Sequence, residues 1–282
     1  MLRCSLCVHD ERTAKIDIIN GKPLCRECQI YLRHHPNRAD VRKELEEIMA
    51  GVDKALVAYS GGKDSVVALY LAKEVYGIRK LEAVMIDHGL MAGEAIENAR
   101  RIARHLNVPF TLLKYDYSDI FREALLKGQS PCRACSKRTM EKLRKYAAGK
   151  GYRYVITGHE LPFGHHPYRE MREGVVQIRL LSMMTEEERF GILEKLPFEF
   201  PELPGYTTNC LVLGPALERY WEKHGHSFEQ RRIAALVRYG LMSREKAEEE
   251  LRRPSVREEQ RRLVFERLGL EEPFKRGRFT GR

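Results

Sequence analysis

The sequence predicts an α/β fold: a parallel sheet flanked by helices, with a small cysteine-rich head before it and a helical region after it. Between residues 54 and 180, short apolar runs alternate with longer segments of helical spacing, which is typical of parallel strands joined by crossover helices. Two Cys-x-x-Cys pairs precede this region. Residues 213–282 begin with helical patterns and contain no strand-like run, which predicts the helical region.

The composition is that of a globular protein with a basic surface. The chain has 282 residues, of which 43% are hydrophobic and 32% charged, enough for one or two domains. A net charge of +10 favours a polyanionic partner. No apolar run reaches the roughly 20 residues of a membrane helix, and the first residues lead into a cysteine motif without a signal-peptide core. A cytoplasmic location without membrane contact is therefore expected.

Four cysteines in the head, residues 1–35, are expected to bind a structural zinc ion. Cys4-x-x-Cys7 and Cys25-x-x-Cys28 are separated by 17 residues, within the range of a Cys₄ zinc site. Disulfides or a redox pair are the alternatives, although seven cysteines in total argue against a fully paired disulfide framework. Four thiolates leave no open coordination position, so the ion would replace a core that this segment is too short to build.

The remaining features of the head are a hairpin and several histidines. The alternating pattern of Ala14–Ile19 predicts a β-hairpin between the cysteine pairs, and Gly21-Lys22-Pro23 marks a turn before Cys25. The histidines His9, His34 and His35 are expected at the surface rather than as ligands.

Residues 36–53 are predicted to be a linker helix, Ala39–Ala50 with Asp40 as its cap, and residues 54–212 to form the sheet domain. The predicted strands are Lys54–Tyr59, Leu81–Ile86, Phe110–Tyr115, Tyr154–Thr157 and Val175–Leu180. The predicted helices are Ser65–Tyr76, Gly93–Leu106, Ile120–Leu126, Lys137–Ala148 and Thr185–Leu196. Residues 161–174 are expected to form an irregular loop whose two adjacent histidines face solvent.

The loop after the first strand has the composition of a phosphate-binding turn. Two glycines break the apolar run abruptly, and a helix pattern begins immediately after them. This geometry brings backbone N–H groups and the positive end of a helix dipole to one place, where serines and a lysine add hydrogen bonds and charge. The lysine directly follows the glycine pair, so the pattern is not the Walker P-loop. The candidate residues are Ser60, Gly61, Gly62, Lys63, Asp64 and Ser65.

Three loops follow the carboxyl ends of predicted strands and are expected to meet in one crevice. The first is the phosphate loop, the second begins at Asp87, and the third contains Gly158 and His159. The backbone from Met85 to Asp87 suits an adenine edge, and Gly158 would let the backbone approach a nucleotide. The sequence therefore predicts a nucleotide site at this edge of the sheet.

Three further cysteines form a second set. Cys132-x-x-Cys135 lies just before a predicted helix, and Cys210 follows a proline-rich crossing some 75 residues later. Three thiolates are too few for a closed zinc site but suffice for a [4Fe–4S] cluster with one iron not bound by protein. A helix N-terminus and nearby cations would stabilise such thiolates.

Residues 213–282 are predicted to contain four helices and a basic tail. The helices are Ala216–Trp221, Ile233–Tyr239, Ser243–Leu251 and Val256–Leu268. The tail Pro273–Arg282 carries four cations, two aromatic residues and no acid, which suits either a strand-binding arm or a solvated tail.

The segment Ser60–Ser65 resembles the Ser-Gly-Gly-x-Asp-Ser loop of the PP-loop ATPases, which cleave ATP between the α- and β-phosphates and adenylate a substrate oxygen. With its three-cysteine set and cysteine-rich head, the chain looks like the tRNA 2-thiouridine and 2-thiocytidine synthetases over roughly residues 1–210. The resemblance implies a Rossmann-like sheet of the adenine nucleotide α-hydrolase type. It also implies ATP with Mg²⁺, zinc in the head, a [4Fe–4S] cluster, tRNA, and either sulfide or a sulfur-carrier protein as donor. Homodimers are common in this family.

Residue roles follow from the resemblance by position. The nucleotide-binding set comprises Ser60, Gly61, Gly62, Lys63, Asp64, Ser65, Met85, Asp87, Gly158 and His159. The catalytic set comprises Lys63, Asp64, Glu160, Cys132, Cys135 and Cys210. Glu160 is included because the family continues its Thr-Gly-His motif with Asn and Asp residues, whereas this chain continues with Glu-Leu-Pro.

The expected function is therefore ATP-dependent tRNA sulfur transfer, in which a pyrimidine C2 oxygen is adenylated and replaced by sulfur. One alternative is a PP-loop ligase or amidotransferase acting on a small molecule such as a sugar, with the three cysteines as a second structural metal site or as buried thiols. Another is a non-catalytic RNA-binding or adaptor protein that keeps ATP as a structural ligand. The complete loop motif disfavours this last alternative.

Overall fold

The computed structural model describes residues 1–199 and 209–271. The head consists of strands β1 (Ile16–Ile19) and β2 (Lys22–Cys25) followed by helix α1 (Arg26–Arg33). Ile19 pairs with Lys22, so the predicted hairpin is confirmed, with a loop of only two residues, Asn20 and Gly21. Both have positive φ, 49° and 74°, as a tight turn between twisted strands requires. The predicted turn at Gly21-Lys22-Pro23 is wrong beyond Gly21, because Lys22 and Pro23 belong to β2.

Helix α2 (Arg38–Met49) links the head to the sheet, as predicted. Its cap is Asn37, whose side chain accepts a hydrogen bond from the N–H of Ala39. The prediction of Asp40 as the cap is wrong. Asp40 instead lies in the first turn, where a carboxylate is stabilised by the helix dipole.

The main sheet contains six strands within the described residues. The parallel strands are β3 (Lys54–Ala58), β4 (Lys80–Asp87), β5 (Phe110–Lys114), β6 (Tyr154–Thr157) and β8 (Val176–Arg179), and β7 (Tyr168–Glu170) pairs antiparallel with β8. The order is β5-β4-β3-β6-β8-β7, so the five predicted parallel strands are confirmed, whereas residues 161–174 are less irregular than predicted because they contain β7. The strand order reverses between β3 and β6, and such a switch point opens a crevice at the carboxyl ends of the strands.

Helices cover both faces of this sheet. They are α3 (Lys63–Tyr70), continued by a π-helical turn at Leu71–Val75, α4 (Gly93–His105), α5 (Ser118–Lys127), α6 (Cys132–Gly149) and α7 (Glu186–Leu193). Alternate residues of β4 enter opposite cores, with Ala83 and Met85 on the α3 and α4 side and Val84 and Ile86 on the α5 and α6 side. In β3, Ala55 and Val57 enter the first core and Leu56 enters the second, so the phosphate loop also starts from a strand buried on both faces.

Residues 209–271 contain four helices, which confirms the predicted helical region. They are α8 (Leu213–His224), α9 (Gln230–Arg238), α10 (Arg244–Glu250) and α11 (Glu258–Arg267). Ala216 and Phe265 are buried against the core of the sheet, whereas Ala234 of α9 is buried against the head. The basic tail Pro273–Arg282 and the prolines Pro201 and Pro204 lie outside the described residues. Within those residues, no helix is both long and apolar enough to cross a bilayer.

Candidate functional site

The phosphate loop joins β3 to α3 in a preorganised shape. The Ser65 hydroxyl accepts a hydrogen bond from the N–H of Ser60 at 3.2 Å and donates one to the Gly62 carbonyl at 2.9 Å. Gly61 has a φ of +73°, and a Cβ there would lie 2.7 Å from the carbonyl oxygen of Ala95, so only glycine fits. Helix α3 begins within this segment, at Lys63 with Gly62 in the capping position, which places the positive end of its dipole at the loop.

Gly158, at the end of β6, is packed against the start of α3. A Cβ on Gly158 would lie 2.6 Å from the carbonyl oxygen of Asp64 and 2.9 Å from the nitrogen of Ser65. Its missing side chain therefore makes room for the helix start. The end of β6 and the start of α3 meet at this contact, beside the switch point. Gly158 also lines the crevice, so its close approach to a nucleotide stays a prediction.

The predicted convergence of three strand-end loops on one crevice is confirmed. The crevice has a volume of about 780 Å³, which is within the range of small-molecule sites. Its walls come from the phosphate loop, the ends of β4 and β6, the start of α6, and parts of the chain after Cys210. The ionisable residues that line it are Tyr59, Lys63, Asp64, His88, Cys132, Cys135, His159, Cys210, Glu229, Arg232 and Glu250.

Asp64 faces a buried arginine. The Arg189 Nε lies 3.1 Å from the Asp64 carboxylate, and another guanidinium nitrogen lies 3.9 Å from Glu160. Burial, with the charge of Glu160 added, raises the pKa of Asp64 to about 6 against the opposing charge of Arg189. Asp64 is therefore a carboxylate at neutral pH. Glu160, the predicted acid or base, is directed toward Arg189, whereas its neighbour His159 lines the crevice.

Lys63 is held by an ion pair behind the loop. Its Nζ lies 3.4 Å from Glu186, and Lys246 of α10 approaches the other oxygen of the same carboxylate at 2.6 Å. Glu186 stands at the start of α7, which Thr185 and Glu188 fix with a reciprocal capping box. Helix α7 therefore connects the phosphate-loop lysine to the C-terminal helices.

The predicted adenine-binding stretch on β4 is divided between two faces. The Met85 side chain is fully buried in the opposite core because side chains alternate along the strand, and Val84 and Ile86 line the crevice instead. The Asp87 carboxylate accepts a hydrogen bond from the N–H of Gly89 at 2.9 Å. Neither side chain therefore lines the crevice, whereas the predicted role of the backbone of this stretch as an adenine edge stays a prediction.

Cys132, Cys135 and Cys210 all line the crevice. The first two were predicted to lie just before the helix, but they lie in the first turn of α6. Pro131 occupies the capping position, and its carbonyl accepts a hydrogen bond from the N–H of Cys135 at 3.0 Å. Cys210 is placed by an antiparallel bridge to Met91 in the loop after β4. Burial raises the pKa of Cys210 to about 12 and raises the pKa values of the other two cysteines. All three are thiols at neutral pH unless a metal displaces their protons.

The four head cysteines have the spacing of ligands to a single ion. All are buried, and their sulfurs lie within 4.8 Å of one another, with 3.7 Å between Cys7 and Cys25. A tetrahedral zinc centre with bonds of about 2.3 Å separates its sulfurs by roughly 3.8 Å. Within residues 1–199 and 209–271, no other three His, Cys, Asp or Glu side chains are gathered as ligands of one ion, the crevice cysteines included.

The expectation of a surface position is wrong for His9 and right for His34 and His35. His9 is only 4% exposed, and its Nδ1 lies 3.0 Å from the Thr13 hydroxyl. The carbonyl of His9 accepts the N–H of Cys4, which folds this turn inward beneath the cysteines. His34 and His35 are exposed.

Three charged residues that were not identified from the sequence also line the crevice. Glu229 and Arg232 come from the start of α9, and Glu250 from the end of α10. The Arg232 Nε donates a hydrogen bond to Glu229 at 2.7 Å, and its terminal nitrogen lies 4.0 Å from Glu250. The Arg232 side chain is still 47% exposed, so a ligand in the crevice can reach its guanidinium. No local pattern marks these residues, because charged side chains on short helices ordinarily face solvent.

Comparison with known proteins assigns the chain to a family. The uncharacterized protein MJ1599 of Methanocaldococcus jannaschii is 48% identical over 275 residues, which are 95% of this chain and 98% of that protein. The family model described as "Queuosine biosynthesis protein QueC" matches residues 54–149, the segment that contains the phosphate loop and Cys132-x-x-Cys135. The chain belongs to the MJ1599 family of the PP-loop ATPase superfamily.

Several other relatives of this PP-loop chain carry the names of tRNA-modifying enzymes. The tRNA-specific 2-thiouridylase MnmA of Clostridioides difficile is 34% identical over 126 residues, which are 38% of this chain and only 34% of that enzyme. Among solved structures, the U34-tRNA thiolase NcsA from Methanococcus maripaludis with its [4Fe-4S] cluster aligns over 88% of each chain, at 18% identity and a TM-score of 0.48. That structural likeness is too distant to transfer a function.

Proposed function

We propose that this PP-loop chain is an ATP-dependent tRNA sulfurtransferase that adenylates a pyrimidine C2 oxygen and replaces it with sulfur. The observation that carries the proposal is the shared crevice: Cys132, Cys135 and Cys210 line the same cavity as the phosphate loop. The named activity of the MnmA relatives gives independent support.

The phosphate loop would bind ATP. The start of α3 and the hydrogen-bonded Ser60–Ser65 turn supply a rigid anion site, and Lys63 and Arg232 add positive charge from two walls of the crevice. Asp64, ionised above a pH of about 6, is the carboxylate placed to hold Mg²⁺ beside the phosphates. The C2 oxygen of the pyrimidine would attack the α-phosphorus, and pyrophosphate would leave. The C2–oxygen bond would then break as sulfur adds to C2, and AMP would carry the oxygen away.

The three crevice cysteines fit an iron–sulfur cluster as donors. They line one cavity without being gathered as ligands of a single ion, and Val84, Ile86 and Leu143 add apolar surface to the same cavity. A [4Fe–4S] cluster bound there would carry sulfide on its fourth iron. The chain's own contribution is to hold three thiolates at fixed positions and to limit water around them.

The other parts of the proposal concern the head and the partners. The four head thiols would hold a structural zinc ion, with no position left open for catalysis. A tRNA is the polyanion that a net charge of +10 suits. Sulfide or a sulfur-carrier protein would restore the sulfur after each turnover.

Metal analysis combined with one substitution tests the proposal. Protein purified without oxygen should be brown, with iron and sulfide near four per chain and zinc near one. Cys210→Ser should lose most of the iron and all tRNA thiolation but keep its zinc, whereas Ser136→Ala, a change in the same crevice, should keep both metals.

A second measurement separates adenylation from sulfur transfer. With tRNA present, wild-type protein should release pyrophosphate and AMP from ATP, and Lys63→Ala should not. A colourless protein with two zinc ions per chain and tRNA-independent pyrophosphate release would contradict sulfur transfer. It would support the small-molecule ligase or amidotransferase instead.

A further inference from the structure

The head is docked on the helices that form one wall of the crevice. Gln230 of α9 donates a hydrogen bond to the Val8 carbonyl at 2.7 Å. Arg244 of α10 donates to the carbonyls of Cys4 and Ser5 at 3.2 and 3.1 Å. Ala234 is fully buried among the four cysteines. The head is therefore joined to α9 and α10 through both hydrogen bonds and apolar contacts.

Arg238 of α9 contacts the cysteine sulfurs of the head directly. Its Nε donates a hydrogen bond to the Cys28 sulfur at 3.1 Å, and another guanidinium nitrogen lies 3.9 Å from the Cys25 sulfur. Arg238 is only 9% exposed, and among the described residues no carboxylate pairs with it within 4.0 Å. A buried guanidinium needs an anion, and four thiolates around a divalent ion carry two negative charges. The charge of Arg238 is therefore matched to the metal-loaded site rather than to four neutral thiols.

The same helix presents other residues to the crevice. Arg232 and Glu229 stand about one and a half to two and a half turns before Arg238 and line the crevice, and Glu250 of α10 lies on the same wall. Lys246 of α10 pairs with Glu186, the carboxylate that also holds Lys63. Two independent links therefore run from the head, through α9 and α10, to the residues around the phosphate loop.

We propose that metal binding in the head positions the α9–α10 wall of the crevice, and that Arg238 is the positioning residue that joins the two. Helix α9 has nine residues, which is too short to be stable without packing. Without the ion, Arg238 would be buried against uncharged sulfurs, and α9 would lose one of the interactions that hold its C-terminal half to the head. The proposal holds whichever reaction the crevice carries out.

Hydrogen exchange on the unaltered chain tests the coupling directly. Amide exchange is measured by mass spectrometry on the zinc-loaded protein and after zinc is removed with a chelator. We expect protection in residues 228–250 to fall about tenfold or more on zinc removal, while β3 and β4 keep theirs. Unchanged protection in 228–250 would overturn the proposal. Equal loss in β3 and β4 would overturn it as well, because the metal would then stabilise the whole fold rather than this wall.

Substitutions test the role of Arg238. Arg238→Met keeps the volume but removes the N–H donors, and it should weaken zinc affinity about 10- to 100-fold, as loss of a hydrogen bond to a metal ligand typically does. In cobalt-substituted protein, the thiolate-to-cobalt charge-transfer bands should move to longer wavelength, because the sulfurs lose a hydrogen bond. Arg238→Lys, which keeps a charged donor, should restore part of both effects.

Arg244→Met is the matched control. Arg244 belongs to the same interface but contacts backbone carbonyls instead of sulfurs, so its loss should leave the cobalt bands unchanged. If Arg238→Met and Arg244→Met shift the bands equally, or if neither shifts them, Arg238 has only a general packing role and the proposal is refuted.

Discussion

Substitution of Gly158 by alanine should damage the phosphate loop from the neighbouring strand. The new Cβ would lie 2.6, 2.7 and 2.9 Å from three backbone atoms of Asp64 and Ser65, whereas ordinary contact begins at 3.4 Å. The end of β6 and the start of α3 would therefore have to separate by roughly 0.5–0.8 Å, because backbone atoms cannot rotate away as a side-chain tip can. Overpacking of this kind costs about 1–3 kcal/mol, and three backbone contacts place Gly158→Ala near the upper end.

The displaced atoms belong to the turn that would bind phosphates, so the cost should also appear in ATP affinity. Since 1.4 kcal/mol is a factor of ten, we expect the dissociation constant of a non-hydrolysable ATP analogue to rise about tenfold or more. Calorimetric titration measures this affinity, and urea denaturation measures the free energy of unfolding. Gly191→Ala in α7 is the control, because no atom lies within 4 Å of its new Cβ and removal of a helical glycine should stabilise the protein slightly. Wild-type stability and wild-type ATP affinity in Gly158→Ala would refute this reasoning. A loss of stability alone would show that the contact does not position the phosphate site.

Three other perturbations follow from the site. Burial raises the folded-state pKa of Asp64 from 3.8 to about 6, so the folded state binds more protons than the unfolded state between these values. The free energy of unfolding should therefore fall as pH rises from about 4 to 6. Urea denaturation of Asp64→Asn over the same range should lack this pH dependence. Thr185→Ala should remove the capping box of α7 and lower the free energy of unfolding by about 1 kcal/mol, as measured by urea denaturation. The control Glu187→Ala, at an exposed position of the same helix turn, should change it little. Arg232→Gln should weaken binding of the ATP analogue about tenfold in a binding titration. Arg231→Gln removes the same charge from an exposed neighbour and should leave binding unchanged. Equal effects of the two substitutions would show that only the net charge of the protein matters.

Local patterns predicted the sheet and the phosphate loop well because both are specified by short stretches of sequence. The buried strand before Ser60 and the glycine pair after it determine a strand, a turn and a helix start without help from distant residues. Errors occurred where local signals compete. Asn37 and Asp40 are both good caps, and Asn37 is the one that caps the helix. Strand β7 has only three residues, two of them exposed, and it exists because β8 offers an edge.

The wall formed by α9 and α10 could not be predicted from the sequence for a different reason. Nothing near Arg238 indicates that its guanidinium will be buried, and nothing near Cys28 indicates an arginine partner 210 residues away. Such contacts depend on how whole elements dock. The spacing of Cys132 and Cys135 likewise indicated a ligand pair, but only the fold brings Cys210 to the same cavity.

The docking of the head on α9 has a consequence for how the molecule is made. The hydrogen bond from Arg238 to Cys28 and the ion pair of Arg3 with Glu248 span 210 and 245 residues, so they must form late, after the sheet between them has been synthesised. We therefore expect a nascent chain to have its phosphate loop long before it has Glu229, Arg232 and Glu250. An unfinished chain would hold the nucleotide poorly, and the last folding step would be the one that completes the crevice.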